Sequence, residues 1–90
     1  MGLYVWAPAS RSAPLKPLRT RTHRALCAAL VAARKSAGLS QQELARRLKR
    51  SQSFVAKIEV GERRIDVVEF IEIARALGQE PAELLSHAIE

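Results

Sequence analysis

Glycines stand at positions 38, 61 and 78, and each follows a run whose apolar residues recur at three- and four-residue spacing. A glycine past such a run is the usual stop of an α-helix, because it adopts the left-handed backbone that closes the last turn. The starts are equally legible. Thr20 or Thr22 can cap a first helix running to about Ser36, with Leu26, Ala29, Leu30 and Ala33 on one face. Ser40 and Glu43 form a capping box that opens a short helix with Leu44, Ala45 and Leu48 inward. Lys49-Arg50-Ser51 is a break, and Ser51 can cap a helix over residues 52–60 that turns Val55 and Ile58 inward. Asp66 with Glu69 repeats the box before Phe70, Ile71, Ile73, Ala74 and Leu77, and Pro81 suits the first turn of a fifth helix carrying Leu84, Leu85, Ala88 and Ile89. Aromatic residues are only 4% of the chain, so the core must be Leu, Ile, Val and Ala, which favours packed helices over a sheet sandwich. No run has the period of two that marks a strand. The expectation is an all-α, compact five-helix bundle.

Ninety residues allow one domain. Residues 20–90 are expected to form it. Residues 1–19 read as a flexible arm, because Pro8, Pro14 and Pro17 interrupt any helical pattern. The apolar cluster Leu3-Tyr4-Val5-Trp6 lies within that arm. A single cysteine, Cys27, rules out an intrachain disulfide and suggests a reducing compartment. No uncharged run approaches the ~20 apolar residues needed to span a bilayer, and no signal-peptide pattern is apparent. The expected setting is the cytoplasm, without a membrane partner.

Charge is unevenly distributed. Residues 1–50 hold eleven Lys and Arg against Glu43 alone, +10, whereas residues 51–90 sum to −4. Such asymmetry points to a polyanion on one side of the molecule, nucleic acid first.

Two short helices joined by a tight turn have the sequence shape of a helix-turn-helix. Three blocks carry a closer likeness: Gly38-Leu39-Ser40-Gln41-Gln42-Glu43-Leu44-Ala45, then residues 51–61 (SQSFVAKIEVG), then Ile73-Ala74-Arg75-Ala76-Leu77-Gly78. In type and spacing they resemble the phage-repressor/Cro type, the XRE family of bacterial regulators, over about residues 25–86. The resemblance implies a lambda-repressor-like fold and sequence-specific binding to double-stranded DNA.

With Val55 and Ile58 inward, the opposite face of residues 52–60 carries Gln52, Ser53, Ala56 and Lys57. Their chemistry suits base edges in the major groove, since Gln can pair bidentately with adenine and Lys can donate to guanine. Their assignment as base-reading residues rests on the resemblance. Gln41 lies at a helix N-terminus, where free backbone N–H groups favour phosphate, and it matches the family's backbone clamp. Arg63 and Arg64 fall in the loop that runs beside the DNA backbone in relatives. Arg50 and Lys49 occupy a turn where the family commonly has glycine and then an apolar residue; both are expected to be exposed, with Arg50 a phosphate contact. Arg34 and Glu59 match a family ion pair that orients the two helices.

No enzyme or metal constellation emerges. His23 and Cys27 are four apart and could share a helix face, but zinc needs three or four ligands and a third is missing. Cys27 reads as a small buried apolar group. Glu69, Glu72 and Glu83 have the spacings of exposed helix faces. No cofactor is expected. The leading functional expectation is a transcriptional repressor that binds a pseudo-palindromic operator as a homodimer through the Gly78–Pro81 turn and the fifth helix. The alternative is the antitoxin of a toxin–antitoxin pair, whose toxin partner would be met by the arm.

Overall fold

The computed structural model describes residues 20–89. The arm, with its apolar cluster and the interactions expected of it, lies outside the described residues. Five helices follow in order: α1 (Arg21–Ser36), α2 (Gln41–Leu48), α3 (Gln52–Glu59), α4 (Val67–Ala76) and α5 (Pro81–Ser86). Among the described residues there is no strand, and no helix is long and apolar enough to cross a membrane.

Each start has a side-chain oxygen on an orphan backbone N–H. Thr20 Oγ1 accepts from His23 N at 3.1 Å, so Thr20 rather than Thr22 is the cap. Ser40 and Glu43 close their box with bonds of 3.0 and 2.8 Å. Ser51 Oγ accepts from Phe54 N at 3.1 Å. Asp66 and Glu69 close a second box at 2.7 and 3.0 Å. Glu80, which the sequence reading passed over, accepts from Ala82 N at 2.8 Å ahead of Pro81.

The stops share one geometry. Gly38, Gly61 and Gly78 have φ of +75°, +86° and +73°, and Lys49 repeats it with φ 57° and ψ 42°. After each, the next residue's N–H reaches back five positions: Leu39 to Arg34 O, Arg50 to Ala45 O, Glu62 to Lys57 O and Gln79 to Ala74 O. These are Schellman closures. Three are made by glycine. The fourth forces a lysine into a conformation in which its Cβ crowds the backbone.

The core joins Leu30 and Ala33 of α1, Leu44 and Ala45 of α2, Val55 and Ile58 of α3, Phe70, Ile73 and Ala74 of α4, then Leu77 and Leu84. α2 packs on α3 and α4, while α1 packs on α3 and α5. The last helix is shorter than its apolar pattern suggests. It ends at Ser86, leaving Ala88 buried beyond it, whereas Leu85 is 42% and Ile89 63% exposed. Two of the four apolar residues in this pattern therefore pack inside and two face solvent.

Candidate nucleic-acid interface

The turn between α2 and α3 is three residues long, and Lys49 sets its direction through the left-handed closure just described. α3 then runs for only two turns. Val55 and Ile58 are buried, so the rest of the helix must present whatever lies opposite. Gln52, Ser53 and Lys57 are exposed and Ala56 is half-buried. The four candidate base-reading residues thus share one side of one helix. Together they offer an amide, a hydroxyl, a methyl and an ammonium, a mixture of donor, acceptor and apolar groups with little charge.

A chain of polar contacts fixes this helix against its neighbours. Arg34 Nε and Nη2 donate to the two Glu59 carboxylate oxygens at 2.7 and 3.1 Å, and its Nη1 donates to Leu39 O at 2.8 Å. The two side chains are only 11% and 7% exposed. Glu59 Oε1 also accepts from Gln41 Nε2 at 2.8 Å. Gln41 Oε1 in turn faces Gln52 Nε2 at 3.5 Å, the outer limit of a hydrogen bond. One carboxylate at the end of α3 therefore gathers an arginine from α1 and a glutamine from the first turn of α2. Gln41 is half-buried, and its amide lies beside the amide of Gln52 at the N-terminus of α3.

A second carboxylate holds the other side. Glu69 was expected on an exposed face, yet its side chain is 13% exposed. Arg63 donates to it through Nη1 and Nη2 at 3.0 and 3.1 Å, and Arg50 through Nη2 at 3.0 Å. Both guanidiniums also lie over the Phe54 ring, 4.0 Å from its centre for Arg50 and 4.7 Å for Arg63. The bidentate Arg63 contact, with the Asp66 N–H second, lowers the Glu69 carboxyl to about 2. Spacing gives no sign of this cluster. The capping box fixes Glu69 at the start of α4, but Arg50 lies 19 residues away and arrives only because α2 packs on α4. Arg64 is exposed, and its backbone carbonyl accepts from Arg63 Nη1 at 2.8 Å.

His23 and Cys27 do share a face. Sγ lies 3.7 Å from Nε2, both side chains are buried, and Gly61 sits against them. Among the described residues no three His, Cys, Asp or Glu side chains gather as they would around a metal ion.

The helix-turn-helix family model matches residues 30–84. Among solved structures, an XRE-family like protein from Pseudomonas syringae pv. tomato is similar at 49% identity, with 74% of this chain and 82% of that one covered and a TM-score of 0.71. The clp gene regulator ClgR from Corynebacterium glutamicum is similar at 26% identity over 88% of this chain and 94% of its own, with a TM-score of 0.70. A hypothetical transcription factor, NHTF, from Neisseria is 26% identical over 87% of this chain and 88% of its own, with a TM-score of 0.65. Among curated proteins none matches at a significant level.

Proposed function

The chain belongs to the XRE family of helix-turn-helix proteins and has the fold of its DNA-binding transcription regulators, and from that premise we propose that it is a sequence-specific repressor of transcription in the cytoplasm. α3 enters the major groove of duplex DNA, and Gln52, Ser53, Ala56 and Lys57 read base edges there. Gln41, at the N-terminus of α2, and Arg64, in the loop after α3, meet phosphate and set the register of the helix. Arg50 and Arg63 are held on Glu69 and are not among the phosphate contacts in this reading.

The observation that carries the proposal is the exposed face of α3. It is short, polar and nearly uncharged, and the residues around it are tied to two separate carboxylates, Glu59 and Glu69. A merely solvated face needs no such bracing. Base readout does, because a bidentate amide contact tolerates little misplacement.

The protein acts as a two-fold dimer on a pseudo-palindrome, since one reading helix covers only a few base pairs. Half-sites should lie about 10–10.5 base pairs apart, centre to centre, or a multiple of that. Leu85 and Ile89 of the α5 region offer the apolar surface, while Leu84 and Ala88 are occupied inside the monomer. So small a patch supports a weak free dimer that strengthens on DNA. Selection of bound fragments from random duplex, followed by footprinting, tests the reading. A recurring two-fold motif is the expected result; recovery of no preferred sequence would refute sequence-specific repression, and protection of a single half-site by one protomer would refute the dimer.

A further inference from the structure

Arg50 immediately precedes the cap of α3, and Arg63 follows the last turn of that helix by four residues. Cations at the two ends of a reading helix ordinarily meet phosphates of any duplex, whatever its sequence. Here both converge on one carboxylate. Glu69 is itself tethered, because its Oε1 also accepts from the Asp66 N–H at 3.0 Å as part of the α4 capping box. The arginines come to it, and both guanidiniums also contact the Phe54 ring. Arg63 is the more fully engaged, with its Nη fork on the two carboxylate oxygens and a further donation to the Arg64 carbonyl. The three side chains together carry one net positive charge instead of two.

Phosphate neutralisation strengthens binding to the operator and to random DNA alike, whereas discrimination comes from base edges. A regulator that must find one site among many gains from limiting the first term. We propose that Glu69 withholds Arg50 and Arg63 from DNA phosphate, so lowering sequence-independent affinity and leaving discrimination to α3. The inference rests on the DNA-binding reading above. It makes Glu69 a positioning residue for two side chains that the sequence alone assigns to the DNA backbone.

Glu69→Gln is the informative substitution, because glutamine can still close the capping box while the charge is removed. Binding of wild type and variant to random duplex and to the selected site is measured as a function of salt, with helicity and melting recorded for both. The variant is expected to bind random duplex roughly three- to tenfold more tightly at low salt. Its log–log salt slope should steepen by up to about 1.8, two phosphates at about 0.9 each, and its ratio of specific to random affinity should fall. Unchanged or weaker random binding by a folded variant would overturn the proposal while leaving the regulator reading intact. A wild type that binds no duplex at all would overturn both. Should the variant not fold, guanidinium NMR of the wild type decides: the Arg63 Nε and Nη resonances should keep their chemical shifts on adding random duplex, and a saturable shift on transfer to phosphate would refute the restraint.

Discussion

The side-chain amide of Gln41, in the first turn of α2, donates to the carboxylate of Glu59, in the last turn of α3, at 2.8 Å. The same carboxylate takes two bonds from Arg34. Three helices thus meet at one anion, and the glutamine proposed to touch DNA backbone is held by the residue that ends α3.

Removing that anion should be costly. In Glu59→Ala the Arg34 guanidinium, 11% exposed, keeps only its bond to the Leu39 carbonyl. Breaking a buried ion pair from one side costs about 3–5 kcal/mol, and a loss toward the lower end of that range is expected in urea unfolding at neutral pH. A change below 1 kcal/mol would mean that α1, α2 and α3 hold their arrangement without the pair.

Substitutions on the reading face should separate into base and fold effects. Gln52→Ala and Lys57→Ala are each expected to relax preference at the base pair read by about 1–3 kcal/mol. Both residues are exposed, so melting should hardly move. A selected motif unchanged by Gln52→Ala would show that α3 is not the reading element.

Acid should weaken the Glu69 cluster in a defined window. The carboxyl is lowered to about 2 in the folded protein, against about 4.3 in an unfolded chain. A lowered carboxyl binds fewer protons when folded, so its stabilising contribution is fully present above about pH 4.5 and is lost as pH falls toward 2. Glu69→Gln should therefore reduce the slope of stability against pH between those limits and leave the slope above pH 5 as in wild type. Identical acid profiles would show that the carboxylate is not held as the structure describes.

Lys49→Gly should stabilise the protein. Lys49 is the only non-glycine residue with positive φ among those described. Relief of left-handed strain, about 1–2 kcal/mol, is offset in part by the greater freedom of an unfolded glycine. A net gain of about 0.5–1 kcal/mol in urea unfolding is expected, and a loss would show that the lysine side chain contributes to the turn.

Caps and stops were legible because they are local. Ser40 with Glu43, Asp66 with Glu69 and the glycines at 38, 61 and 78 act on backbone groups within five residues of themselves, so identity and spacing suffice to place each helix. At the C-terminal end the local signal is thinner. Ala88 and Ile89 continue the apolar period of α5, but the helix ends at Ser86 and sends only one of them inward.

The exposed face of α3 followed from the same local rule, since burying Val55 and Ile58 leaves Gln52, Ser53 and Lys57 outside. The partners of the charges did not. That Glu69 binds Arg50 and Arg63 over Phe54, and that Gln41 hangs from Glu59, depends on helices brought together by apolar burial, a force with no direction of its own. Sequence by itself determined where the first four helices begin, end and turn their apolar sides; tertiary packing decided which charges meet, because side chains distant in the chain become neighbours only when the core closes.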